Sequence, residues 1–210
     1  MCAPFFVEKV EAIEFIRSLI AYLLIALGSA LTIKATLGVG SFMALTVALA
    51  NWTGLSVGML LILLEMGFFV ICLSLEQHFE LKEYGLMLVA VFFSGMTTDI
   101  ALNIVSKAFS PESYGWRMLS FLIGLVLLGI GNGRVLRYGM LTFPIEKWCL
   151  LVSQRTKYSF KFYRYGIDVF CVSLALLLAG LHLSPLVIRE GTVISMLFLA
   201  PIITWASRIH

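Results

Sequence analysis

The chain has 210 residues, of which 60% are hydrophobic and only 13% charged, about half the charged share of an ordinary soluble domain. So few charges cannot cover a water-facing surface, and a net charge of +3 is too small and too dispersed for a nucleic-acid surface. A mean hydropathy of +1.00 points to a lipid bilayer as the main solvent.

The apolar residues gather into runs of the length that an α-helix needs to cross about 30 Å of hydrocarbon. In chain order these predict spans at Phe15–Ile33, Val57–Leu75, Tyr84–Val105, Trp116–Leu136, Tyr165–Leu181 and Thr192–Ala206. The first run is too long for a signal peptide, and Glu8, Lys9, Glu11, Glu14 and Arg17 give its flank mixed sign, so it is expected to be retained. Two shorter apolar pieces, Ser41–Ala50 and Pro144–Val152, are too short to span and read as re-entrant or interfacial helices. The expected fold is an all-α membrane protein of about six transmembrane helices and two short helices, forming one polytopic domain over 1–210.

Sliding the chain by 103 positions lays Gly28 on Gly131, Lys34 on Arg137, Asn51 on Gln154, Thr53 on Thr156, Ser56 on Ser159 and Glu65 on Asp168. This predicts two pseudo-symmetric repeats, about 15–105 and 116–208. Each has three spans, an odd number, so the halves are expected to be inverted. The charge distribution agrees. The stretch 37–57 carries no Lys or Arg, whereas its counterpart carries Lys147, Arg155, Lys157, Lys161 and Arg164. With both termini cytoplasmic, eleven of the fifteen basic residues fall inside, leaving Lys34, Lys107, Arg117 and Arg189 outside, as the positive-inside rule requires. A rival eight-span arrangement buries Lys147 within a span.

Around the short helices, Leu37-Gly38-Val39-Gly40-Ser41-Phe42-Met43-Ala44-Leu45 and Asn51-Trp52-Thr53-Gly54-Leu55-Ser56-Val57-Gly58 resemble the G-V-S-P-W-D-A-L and T-G-L-S-x-G motifs of the YczE/YitT-like family of bacterial integral membrane proteins. In the second half, Pro144-Ile145-Glu146 stands for the P-x-D of that family, Arg155-Thr156-Lys157-Tyr158-Ser159 for R-T-G-L-S, and Arg164 with Asp168 for R-x-x-x-E. Gly191-Thr192 and Pro201 fall at the spacing of its G-T and G-P. The resemblance covers roughly residues 15–206 and implies two related halves in a bacterial cytoplasmic membrane. The first-half Pro and Asp are Ser41 and Met43 here, so Glu146 alone keeps the acidic position.

Ionisable groups inside a membrane are costly and mark pathways or wet cavities. Glu65 stands mid-span among Leu63, Leu64, Met66 and Phe68 with no base within a turn. Its cost must be offset by another helix, by water or by a proton. Its repeat mate Asp168 follows Arg164 by four residues, the spacing of a helical ion pair. Asp99 lies towards the end of the third span, after Thr97 and Thr98, either facing a shared cavity or snorkelling outwards. Glu146 and Lys147 open the second short helix after Pro144, where the helix dipole favours a carboxylate. Lys34 and Arg137 close their spans, either snorkelling to headgroups or neutralising an anion.

Cys2, Cys72, Cys149 and Cys171 show no CxxC or CxxH spacing, and His78, His182 and His210 no paired spacing, so no metal site, cofactor or enzymatic activity is expected. The glycines of Gly129-Ile130-Gly131-Asn132-Gly133 lack the strand and the Lys-Ser of a phosphate loop and read as helix-packing positions. The leading expectation is a transporter-like protein with a small polar or anionic solute between the repeats, along a pathway of Glu65, Asp99, Glu146, Lys34, Arg137 and Asp168. The alternative is an accessory or regulatory subunit that binds a partner membrane protein, for which the basic, aromatic stretch 155–164 offers a surface. A homodimer is compatible with either.

Overall fold

A computed structural model describes residues 3–76, 80–108, 113–139 and 141–208, with side chains from Ile13 onward. Cys2, His78, His210 and the side chains of Glu8, Lys9 and Glu11 lie outside the described residues. Among the described residues eight helices form: α1 Ala3–Ala35, α2 Ser41–Thr53, α3 Val57–Leu75, α4 Leu81–Ala108, α5 Tyr114–Tyr138, α6 Pro144–Arg155, α7 Phe160–Gly180 and α8 Glu190–Arg208. No strand occurs among them. Six segments, namely Ile13–Ala35 of α1 and the whole of α3, α4, α5, α7 and α8, are long and apolar enough to cross a membrane by length and composition. At 13 and 12 residues, α2 and α6 reach only about 20 Å, short of a hydrocarbon core.

Local chemistry sets the breaks. Thr36 and Gly38 take positive φ values of 56° and 114° and turn the chain out of α1. A Cβ at Gly38 would stand 2.7 Å from the backbone nitrogen of Thr192, so this turn needs glycine for both conformation and space. α2 stops at Gly54, left-handed at φ 76°, whose N–H returns to the Ala50 carbonyl at 2.9 Å. This is the common glycine stop of a helix. Ser56 then caps α3, its Oγ accepting from the Met59 N–H at 3.2 Å, and Pro144 opens α6 where its missing N–H costs nothing.

The helices sort into two groups of four. In the first, α1 packs along α5 and carries α4, while α5 carries α8. Added Cβ atoms show how close the first pair lies: one at Gly28 would be 2.7 Å from the Gly124 carbonyl oxygen, and one at Gly131 2.9 Å from that of Ala21. Residue numbers rise on one helix as they fall on the other, so α1 and α5 are antiparallel. Small residues let these backbones approach, which is how apolar helices associate when lipid removes the hydrophobic drive between them. α4 runs parallel to α1 through Ala26 and Ala30 against Ala101 and Val105. α8 runs parallel to α5, with Gly129 against Ile202 and Gly133 against Ala206.

The second group is α2 on α7 and α3 on α6, with α2 also touching α3 and α6 touching α7. Its core joins Leu45 and Ala48 of α2, Ile145 and Cys149 of α6, and Ile167, Cys171, Ala175 and Leu178 of α7. Among the described residues the one extensive helix-to-helix contact between the groups is α3 on α4, which brings Gly58 against Gly95 and the Phe69 ring edge-on to Tyr84 at 5.7 Å. α7 has no comparable contact with α8. Leu63, Val70, Ile100, Phe170 and Leu197 stand exposed on the outside, an apolar surface of the kind lipid solvates and water does not.

Candidate functional site

The short helices begin in the interior, each close to an acid supplied by the other half of the chain. At the start of α2, the Ser41 hydroxyl donates to Asp168 Oδ1 of α7. The same carboxylate pairs with Arg164 one turn earlier at 3.2 Å, the i,i+4 pair expected from the spacing. At the start of α6, Glu146 lies close enough for its charge to act on Glu65 of α3 and on Tyr22 of α1. The Arg164 guanidinium acts on Glu146 in turn. Asp168 is thus held by both Ser41 and Arg164.

Glu65 is only 3% exposed. The Ser94 hydroxyl of α4 lies 3.2 Å from Glu65 Oε2 and 2.9 Å from the Val91 carbonyl. A serine has one hydroxyl proton, so these two acceptors share it. Tyr22, buried at 1% exposure, donates to the Leu141 carbonyl at 3.3 Å. Its ring stands 5.1 Å from Phe143, just before α6, and 6.3 Å from Phe93 of α4. Glu65, Ser94 and Tyr22 thus line the junction where the two helix groups meet.

Asp99 is placed elsewhere. Its Oδ1 accepts from the Gly58 N–H at 2.7 Å and its Oδ2 from Ser56 Oγ at 2.5 Å, so it caps the N-terminus of α3 from α4. Gly58 and Glu65 are seven residues apart on α3, which sets Asp99 about 10 Å along the axis from the Glu65 level. Lys34 and Arg137 are not brought together. With Gly28 level with Gly124 on antiparallel helices, Lys34 falls near residue 118, about 28 Å along α5 from Arg137. The two repeat mates close opposite ends of the α1–α5 pair.

Lys147 has a separate duty. It pairs with Glu83 at 2.7 Å and Glu76 at 3.3 Å, and Tyr84 donates to Glu76 at 3.0 Å. Burial works to lower the Lys147 pKa, but the hydrogen bonds and charges of Glu83 and Glu76 outweigh it and hold the ammonium above the usual lysine value. The neighbouring Arg155 donates to the Leu75 carbonyl at the end of α3. This cluster clamps α6 to the α3–α4 connection. The interior thus holds Asp168 at the start of α2 and Glu146 at the start of α6, and polar groups at the helix ends serve as fasteners.

Sequence reasoning missed Tyr22, Ser41 and Ser94 as site members. A tyrosine inside the first predicted span was a signal for the first. For the two serines no signal exists in one sequence, because their partners lie 127 and 29 positions away.

Six apolar helices around interior half-length helices are the features of a multi-pass helical membrane protein. The chain belongs to the family described as "Family of unknown function (DUF6198)", whose match covers residues 13–208. It is 30% identical over 161 residues to "Uncharacterized protein YyaS" of Bacillus subtilis (strain 168), covering 77% of this chain and 79% of that protein. No solved structure matches the chain.

Proposed function

We propose that the protein is a transporter-like, non-catalytic protein of the bacterial cytoplasmic membrane, binding a small polar solute between two inverted repeats. The observation that carries this reading is the pair of interior short helices, the first of which starts with Ser41 bonded to Asp168 of the opposite half. Half-length helices that end at the middle of a bundle are the usual frame of a solute site in secondary transporters.

The helix pairings favour the repeat. Exchanging α1–α4 with α5–α8 maps α2 on α7 onto α6 on α3, and α4 on α1 onto α8 on α5, whereas α3 on α4 has no comparable counterpart in α7 and α8 among the described residues; the equivalent helices α1 and α5 run antiparallel. Two four-helix groups joined mainly at α3–α4 also suit the rocking of one body against another that alternating access uses. Both termini are assigned to the cytoplasm on the charge distribution, and the motif resemblance to the YczE/YitT-like proteins is retained as part of the same reading. The placement of Lys34 and Arg137 at opposite ends gives no support to their joint role on an anion.

Melting of the purified, detergent-solubilised protein against pools of bacterial metabolites tests the reading, because a ligand of the folded state must raise the midpoint. A saturable rise with one pool supports a solute site; no rise across broad pools overturns it. The accessory-subunit reading has one specific observation in its favour. Lys157 and Tyr158 between α6 and α7, and Lys161 and Phe162 in the first turn of α7, stand exposed, with the Tyr158 and Phe162 rings stacked at 4.7 Å. Stoichiometric co-purification of one membrane partner, lost when these four become Ala, would shift the assignment to it.

A further inference from the structure

The connection from α6 into α7 carries positive charge that the chain itself does not answer. From Lys147 to Ile167 the sequence holds five Lys and Arg and no Asp or Glu. Three of the five are committed: Lys147 to Glu83 and Glu76, Arg155 to the Leu75 carbonyl and Arg164 to Asp168. Lys157 and Lys161 stand exposed and have no acid within ion-pair distance among the described residues.

Aromatic side chains accompany these two lysines in a fixed arrangement. Each lysine precedes by one position a member of the Tyr158–Phe162 stack, whose planes lie 19° from parallel. Tyr163 stands edge-on to both rings at 6.5 and 5.6 Å and to Trp148 of α6 at 5.9 Å. Its hydroxyl donates to Thr156 Oγ1 at 2.9 Å, and Thr156 donates to the Val152 carbonyl at 2.9 Å. The connection is therefore tied to both helices that it joins, while Tyr158 and Phe162 remain 59% and 56% exposed.

Phe162 also heads a stripe. Phe162, Tyr165, Val169 and Leu176 recur at helical spacing on one face of α7, and all four are exposed, as suits a side that faces hydrocarbon. Tyrosines and lysines at the end of such a stripe lie where the headgroups begin. This continuity favours the bilayer over a protein partner, because one lipid molecule reaches from the lysines down the stripe. The unanswered charge gives the sign of its headgroup, since basic residues beside a membrane surface attract anionic lipid.

We infer that the α6–α7 connection is a binding surface for an anionic phospholipid, the headgroup phosphate pairing with Lys157 and Lys161 and the acyl chains lying along Phe162, Tyr165 and Val169 of α7. The surface is independent of the solute-site reading, and its occupant holds the α6–α7 connection against the membrane whether or not a solute is carried.

Native mass spectrometry of the delipidated full-length protein in detergent, titrated with dioleoyl phosphatidylglycerol and with dioleoyl phosphatidylcholine, tests the inference. Phosphatidylglycerol should bind at least tenfold more tightly. K157Q and K161Q should each weaken it about fivefold and the double variant about 25-fold, while the paired K157R and K161R changes keep it. K107Q, at an exposed lysine in the last turn of α4, should leave it unchanged. Equal binding of the two lipids overturns the anionic assignment, and phosphatidylglycerol binding unaffected in the double Gln variant overturns the location. A membrane protein that co-purifies in fixed ratio and is lost in that variant, with no lipid preference in the purified chain, gives the surface to a protein partner instead.

Discussion

Removal of the Asp99 carboxylate separates a fastener from a pathway residue. In D99A, Gly58 N–H and Ser56 Oγ lose acceptors at 2.7 and 2.5 Å. Hydrogen bonds to a charged group contribute about 1.5–3 kcal/mol each in soluble proteins, but interhelical ones within membranes average about 0.6 kcal/mol. Two bonds between these limits give a loss of about 2–4 kcal/mol. At about 2–4 °C per kcal/mol for a chain of this size, the melting midpoint should fall by roughly 4–16 °C. D99N keeps an acceptor for Gly58 and an amide that donates to Ser56 Oγ, so it should lose only about 1 kcal/mol, since little more than the charge assistance is removed. The assay is loss of monodisperse protein on heating in detergent, followed by fluorescence-detected size exclusion. D99A melting within 2 °C of the parent, or D99N abolishing ligand binding without a change in melting, would refute the capping role and return Asp99 to the pathway.

Gly28→Ala should lower the folded yield and destabilise by about 1–3 kcal/mol through overpacking, because the new methyl meets the Gly124 carbonyl oxygen at 2.7 Å. Gly67→Ala, which meets nothing within 4 Å, should be neutral or slightly stabilising in the same melting assay. Lys147→Ala leaves Glu76 and Glu83 facing each other across a clamp in which Lys147 and Glu76 are 13% and 14% exposed. It should cost about 1–2 kcal/mol, visible as a lower midpoint, and K147R should restore most of it. Single cysteines at the exposed positions Thr53 and Lys157, in a background with the four native cysteines changed to Ser, should react oppositely with an impermeant maleimide. Thr53→Cys is labelled in intact cells and Lys157→Cys only after permeabilisation; labelling of both in intact cells would refute the inverted topology.

The helices were legible because apolar run length reports directly on hydrocarbon thickness. The run Val57–Leu75 matches α3 at both ends, since Ser56 and Glu76 bound it. The others extend further than hydropathy shows: α4 begins at Leu81 and includes Lys82 and Glu83, because a helix continues into the interface where polar residues are at home. α2 likewise runs through Asn51, Trp52 and Thr53 until Gly54 supplies the left-handed stop. Glu65 was legible as a burial problem, because a lone acid in a greasy run has to be solved somewhere. Its solution was not, as the Ser94 hydroxyl that reaches Glu65 Oε2 arrives from another helix 29 positions away. Asp99 looked like the same kind of group and is a cap, a distinction made by Gly58 on a different helix. Lys34 and Arg137 carry the opposite lesson: equivalence within a repeat is not proximity, and an antiparallel pair sends equivalent positions to opposite ends.

The bond from Ser41 to Asp168 joins residues 127 positions apart. At about 5–20 residues per second of synthesis, α2 leaves the ribosome roughly 6–25 s before its partner exists. α3 and α4, joined by Asp99 and the Gly58–Gly95 contact, are complete as a hairpin long before that. The newborn protein therefore enters the bilayer with its first short helix lacking its α7 partner, and the interior closes only when α7 arrives. A ribosome stalled before residue 160 would leave Ser41 without Asp168 and the α2 core residues without those of α7.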